Sequence, residues 1–421
     1  MTSIPPTGAD VLAALQIDLE TVRSMRPGRK RSTHQAIFNW LTRYHPAPEA
    51  SNLEQVQGLL ETFDLLCAIA AWSAANQLLS IQLNTATAQD LGHQLHTWGY
   101  FQTQINLYGQ LINHLEPVQR SAALIAVGNA YTAIGDYPKG IQYFETALAI
   151  NRSLSHQPGI GTVLMNLGIA HISQGNYDTA LDYLQQSLAV ARATHAPKAE
   201  ADALANLGGA YTAMGRYPAA AHYHHQALTI AQTIGDRPGE AASFKDLGNL
   251  SFLTGQFTAA IEQYQQALAI AQAIGNRKGE GDLHNNLGYV YHAQKAYGPA
   301  IQHYHQALDI AQKTEDLQMQ ANASNNLGSA HRALGNYSQA LTYFHQALAI
   351  KQKIQDHAGE ARTWFNLGQV LAKLDNQTAQ ALTAYQNAAD LFNQLGLNHP
   401  SERCQRAIAH LRQINNHGLS S

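Results

Sequence analysis

Asparagine recurs in this chain where a helix has little use for it. At 40-residue intervals stand Asn166, Asn206, Asp246, Asn286, Asn326 and Asn366, each two residues before a glycine. Asn is roughly 0.6 kcal/mol worse than Ala inside a helix, and a merely solvated face would favour Glu, Lys or Gln. Something must use the amide, which both donates and accepts. In one copy the polar stripe is Asp282, Asn285, Asn286, Tyr289 and His292; in the next it is Asn322, Asn325, Asn326, Ser329 and Arg332. At helical spacing each set shares one face, with Leu283, Leu287 and Val290 on the opposite, packed side. One user of the amides is an adjacent helix, through a hydrogen-bonded ladder; the other is a ligand. A ladder can also preorganise a ligand site, so the readings are compatible. Charges nearby are mixed (Asp202, Lys245, Asp246, Asp282, Arg332, Arg362 and Lys373) and select no sign of partner.

Other candidate chemistry is weaker. His222, His224 and His225 cluster on one helix, and His305 and His345 repeat the place of His225, but Gln265 interrupts the series. Metal binding would need His at i and i+4 or convergence with Cys or carboxylate. We expect a polar helix surface there, no metal site and no cofactor. No phosphate loop of the Gly-x-x-x-x-Gly-Lys-Ser/Thr type and no His-Glu-x-x-His motif occurs, so no enzymatic activity is expected. Gly159-Ile160-Gly161 joins two helices instead of following a strand. Five cations among Arg23, Arg26, Arg29, Lys30 and Arg31 offer either an anion contact or a solvated linker with a helix-terminal charge preference.

The elements that position these residues follow from a metre. Gly128, Gly168, Gly208, Gly248, Gly288, Gly328 and Gly368 are 40 residues apart, a period that means stacked copies of one small unit. Residues 201–214 read as an amphipathic helix through Ala203, Leu204, Leu207, Ala210 and Tyr211. Gly215 stops it by accepting a left-handed cap, and Pro218 opens a second helix. Asp178, Thr258 and Ser338 are the N-cap candidates in other copies. The second helix buries Ala220, Tyr223, Ala227, Leu228, Ile230 and Ile234. Gly208 and Ala220 leave room for close helix approach, with Tyr217 and Tyr223 filling the flanks; Gly208→Leu should cost roughly 1–3 kcal/mol by overpacking. Lys295 and Asp375 stand where the turn glycine belongs, and one extra residue precedes Ala381. Ser251 and Leu371 replace an aromatic. These places should be looser or differently turned.

This sequence of small, small and aromatic residues resembles the tetratricopeptide repeat, in the 40-residue variant of kinesin light chains, LGN-type scaffolds and many cyanobacterial proteins. The resemblance covers about 280 residues. It implies an all-α, right-handed α-solenoid whose first helices line a concave face. In the kinesin light chain and LGN groups the matching Asn holds the backbone of an extended peptide. That role would fall to Asn166, Asn206, Asp246, Asn286, Asn326 and Asn366, with Lys245, Asp282, Asn285, Tyr289, His292, Asn322, Asn325 and Arg332 around them. Ala126 breaks the row in repeat 1.

We divide the chain into capping helices with the basic linker (1–52), two degenerate helix pairs (53–120), seven repeats (121–400) and a final capping helix and tail (401–421). Helices are expected over 8–25, 32–45 and 401–414, the last with Arg403, Arg406 and Arg412 outward. Only 13% of the 421 residues are charged and the net charge is −3, which argues against a nucleic-acid binder overall. Cys67 and Cys404 exclude a disulfide framework. No secretory signal opens the chain, and no apolar run spans a bilayer. The expectation is a cytoplasmic, non-enzymatic scaffold that binds an extended segment of a protein partner, in complex assembly or signalling. The alternative is a peptide-sensing regulator whose basic N-terminal segment contacts nucleic acid or another effector. The partner's identity and the oligomeric state are not legible.

Overall fold

Glycine packing sets the helix pairs. In the computed structural model, which describes residues 4–47, 50–85 and 88–418 (side chains to 413), seven helix pairs follow one another. Repeats 1 to 3 are Pro117–Ala133 with Tyr137–Ser153, Gln157–Ser173 with Tyr177–Ala193, and Pro197–Ala213 with Tyr217–Ile234. Repeats 4 to 7 are Arg237–Leu253 with Phe257–Ala273, Arg277–Ala293 with Tyr297–Lys313, Leu317–Ala333 with Tyr337–Lys353, and His357–Leu371 with Thr378–Gln394. The first helix of each pair is called A and the second B. A Cβ on Gly128, Gly168, Gly208, Gly248, Gly288, Gly328 or Gly368 would fall within 3.0 Å of Phe144, Leu184, His224, Tyr264, Tyr304, Phe344 or Tyr385 respectively. Each glycine is thus the socket for one large helix B side chain. Ala180, Ala220, Ala260, Ala300, Ala340 and Ala381 are fully buried beside it.

That finding corrects the histidine reading. His224 is 2% exposed and fills the socket of Gly208, whereas His222 and His225 are exposed. Burial lowers the pKa of His224 to about 4. Ile234, expected inside, is exposed. Tyr223 stacks on Tyr211, and the same face-to-face pairing joins Tyr131 to Tyr143, His171 to Tyr183, Tyr291 to His303 and His331 to Tyr343. In repeat 4 the pair is Ser251 and Gln263, joined by a 2.7 Å hydrogen bond. The Ser251 site is therefore bonded, not loose.

Turns also depart from expectation. The N-caps of helices B are Asn176, Gln256 and Asn336, none with a side-chain cap bond; Asp178, Thr258 and Ser338 lie two residues inside. Gly135, Gly175, Gly215, Gly255 and Gly335 have φ from 71° to 84°. Lys295 takes the same left-handed turn at φ 60°, with the same pattern of backbone bonds, so a lysine bears a conformation that costs a non-glycine residue roughly 1–2 kcal/mol. In repeat 7 the positive φ moves to Asn376, and the extra residue is absorbed between Leu371 and Thr378. Tyr385 still reaches the Gly368 socket.

Upstream, the helix expected over 8–25 is two, Gly8–Ala14 and Leu19–Ser24. They are separated by Gln16 at φ 56° and by Asp18, whose carboxylate accepts from the Thr21 N–H at 2.9 Å. The next helix is Arg29–Arg43, followed by Asn52–Gln55, Gln57–Ala68, Trp72–Leu79, Leu91–Thr97 and Phe101–Leu111. Arg29 and Lys30 open a helix whose Gly28 cap offers no side chain. Cations there oppose the helix dipole, so a helix-terminal preference explains Arg23 alone. The closing helix is Asn398–Gly418, with Arg403, Arg406 and Arg412 exposed.

The chain divides into two compact units, Met1–Asp246 and Leu247–Ser421. In the first, helix Arg29–Arg43 packs on Gln57–Ala68, and repeats 1 to 3 stack in order. In the second, repeats 5 to 7 stack in order and the closing helix covers helix B of repeat 7. Helices and no strands make up the fold among the described residues, an all-α solenoid. No helix there is long and apolar enough to cross a membrane.

Candidate binding groove

In the second unit the asparagines bond one another across repeats. Asn326 Nδ2 donates to Asn285 Oδ1 at 3.4 Å, and Asn366 Nδ2 donates to Asn325 Oδ1 at 3.1 Å. The equivalent acceptor position in repeat 4 is Lys245, which has nothing to accept with; Asn286 instead donates to Asn249 at 3.4 Å. The Tyr289 hydroxyl donates to Asn326 Oδ1 at 3.0 Å. Asn285 and Asn326 are only 8% and 4% exposed. They lie between helices A, deeper than a surface stripe would place them. Buried amides of this kind must be bonded, because an orphaned polar group costs roughly 1–3 kcal/mol.

Among the described residues of the first unit no such row forms. Asn206 donates to the carbonyl of Asp202 in its own helix at 2.8 Å. Asn166, Lys245 and Asp246 are half-buried. Burial raises the pKa of Asp246 to about 6, against the pull of Lys245. In repeat 5, Asp282 and Asn286 are half-buried and His292 packs edge-on to Tyr297. Burial also lowers the pKa of His292.

The structure gathers Tyr289, Asn322, Asn325, Asn326, Arg332 and Asn366 around one cavity of about 620 Å³ in the second unit. Asn166, Asn206, Lys245, Asp246, Asp282, Asn285, Asn286 and His292 are not in its lining. The rest of the lining includes residues that sequence reading did not assign to a site, Lys351, Phe365, Phe392, Leu397 and Arg403, together with Arg362, one of the charges the sequence had placed nearby. Lys351 carried a signal. Its position holds Ala191, Ala231, Ala271 and Ala311 in other repeats, each at most 3% exposed. A lysine in an alanine site must be held, and Lys351 Nζ lies 2.7 Å from Asp356 Oδ2 and 3.1 Å from Asn322 Oδ1. Burial works against the Asp356 carboxylate, but Lys351, the Gly359 N–H and the Gln318 amide outweigh it and hold its pKa below the usual value. Among the described residues no group of three His, Cys, Asp or Glu is placed to hold a metal ion.

A tetratricopeptide repeat family model matches residues 119–193, 200–273, 251–313, 279–353 and 319–394, and a second tetratricopeptide model matches 165–232. The chain belongs to the tetratricopeptide repeat proteins, whose fold is a protein-interaction scaffold. Among solved structures, a Rap protein complexed with Competence and Sporulation Factor is similar at 12% identity and TM-score 0.53, covering 96% of this chain and 98% of that one. A signal transduction ATPase with a tetratricopeptide repeat sensor, from Pyrococcus horikoshii, is similar at 16% identity and TM-score 0.51. That match covers 91% of this chain and 56% of the ATPase. These likenesses concern the fold. No curated protein matches.

Proposed function

We propose that this chain is a non-enzymatic adaptor that holds an extended segment of a protein partner along helices A of repeats 5 to 7. The observation that carries the reading is the cavity beside the bonded asparagine row. Asn322, Asn325 and Asn366 line it, Asn325 and Asn366 held by their bond to each other and Asn322 by the Lys351 ammonium. Preorganised donors and acceptors of this kind suit a peptide backbone, which offers one of each per residue. The similarly folded Rap protein was solved complexed with Competence and Sporulation Factor, and the reading extends a binding use of the fold to this chain.

The test is selection of a displayed library of unstructured peptides on the purified protein. The Asn286→Ala/Asn326→Ala variant should bind the selected peptides more than tenfold more weakly, with helicity by circular dichroism retained. Undiminished affinity in that variant would sink the groove reading and leave the row as internal structure.

A further inference from the structure

We propose that the cavity formed by repeats 6 and 7 and the closing helix takes an acidic segment carrying an apolar side chain. This rests on the groove reading and gives it a sign. Three guanidiniums, of Arg332, Arg362 and Arg403, line the cavity, and none of its lining residues is acidic. None of the three enters an ion pair among the described residues. The Arg332 Nε is buried and has no hydrogen-bond partner. The fourth lining cation, Lys351, is already committed to Asp356 at 2.7 Å. The cavity therefore holds an excess of cationic donors for which the described residues supply no carboxylate. Arginine forks match carboxylates in pairs of parallel hydrogen bonds, and a donor left bare in a partly dry site is costly. Beside the arginines the wall is apolar: Phe365, Phe392 and Leu397, with Leu397 41% exposed and the Arg403 guanidinium 5.1 Å over the Phe365 ring. That combination seats a carboxylate-bearing stretch with one leucine or phenylalanine, and it disfavours a cationic one.

The probe is a fluorescein-labelled peptide of sequence Gly-Glu-Glu-Leu-Glu-Phe, compared by fluorescence polarisation with its Gln and Lys counterparts. The acidic peptide should bind the full chain at least tenfold tighter than the Gln peptide, and the Lys peptide should not bind. Affinity should fall on raising salt, because the charges are partly solvated. Arg362→Glu, at an exposed position, should abolish the preference, and Arg362→Lys should lose part of it because the fork is gone. Equal binding of the Gln peptide overturns the charge inference while leaving the groove reading standing. Loss in Arg362→Glu with full binding in Asn286→Ala/Asn326→Ala keeps the acidic site and removes the asparagine groove. Absence of binding by the acidic peptide, or its displacement by a short single-stranded oligonucleotide at equal concentration, overturns the proposal.

Discussion

His224 and Asp246 belong to successive repeats and respond to acid in opposite senses. The folded pKa of His224 is lowered to about 4 from 6.5. Above 6.5 both folded and unfolded chains keep it neutral, and as pH falls the unfolded chain takes the proton first, so stability is lost on acidification. At pH 5 the loss from this one group is about 2 kcal/mol. His224→Leu, which copies Leu184, should gain that much over the parent between pH 7 and pH 5 in urea midpoints. Asp246 is raised to about 6 from 3.8. Below 3.8 it is protonated in both states and costs nothing; as pH rises toward 6 the unfolded chain ionises first and folding stability falls. Asp246→Asn should therefore stabilise at pH 7, by about 3 kcal/mol, and by well under about 1 kcal/mol at pH 4. A parallel pH response of parent and variants would refute both assignments. Neither behaviour was legible in the residue types. His224 reads as polar surface because its neighbours His222 and His225 are, and only the glycine socket opposite marks it as core.

At the scale of one helix pair, the glycine metre made the fold readable and singled out Gly208, a member of the 40-residue series, from its neighbour Gly209, which is not. Gly208 and Gly209 are adjacent in the same helix. A methyl at Gly208 would strike the His224 ring, and a methyl at Gly209 would meet nothing within 4 Å. Gly208→Ala should destabilise by roughly 1–3 kcal/mol through overpacking. Gly209→Ala should stabilise by about 1 kcal/mol, since it only removes a helix-interior glycine. Thermal unfolding of the two variants checks the sign, and equal effects would contradict the socket. Helix positions followed from periodicity, but caps did not. Asp178, Thr258 and Ser338 have capping chemistry, while the backbone places Asn176, Gln256 and Asn336 at the caps. The exchange of a stacked ring pair for Ser251 and Gln263 was equally hidden, because the two partners lie twelve residues apart on different helices.

Across the whole array, energy is shared between neighbours, as repeat proteins require. The asparagine row concentrates that sharing in the second unit. Asn325 accepts from Asn366 at 3.1 Å and from the Thr363 hydroxyl at 3.5 Å. Asn325→Ala should leave the Asn366 amide without that acceptor, while the Thr363 hydroxyl keeps the Gly359 carbonyl at 2.8 Å. Hydrogen exchange should quicken in helices Leu317–Ala333 and His357–Leu371 and stay unchanged in repeats 1 to 3. Uniform acceleration along the chain would show that the repeats are not energetically separable. The candidate site was legible as far as its helix A residues, whose spacing repeats. The rest was not, because Phe392 is shifted in register by the extra residue of repeat 7 and stands where repeats 2 to 5 have a small alanine, and Leu397 and Arg403 lie in and around the closing helix. The extra residue of repeat 7 has a wider meaning. Inside a helix one added residue would turn everything after it by about 100°, and Tyr385 would miss Gly368. Placed in the turn before Thr378, it leaves the ring in its socket. The short turns are thus the joints at which this gene can gain or lose codons while the packed helices keep their phase, and they are where a reporter segment can be spliced in without rewriting the fold.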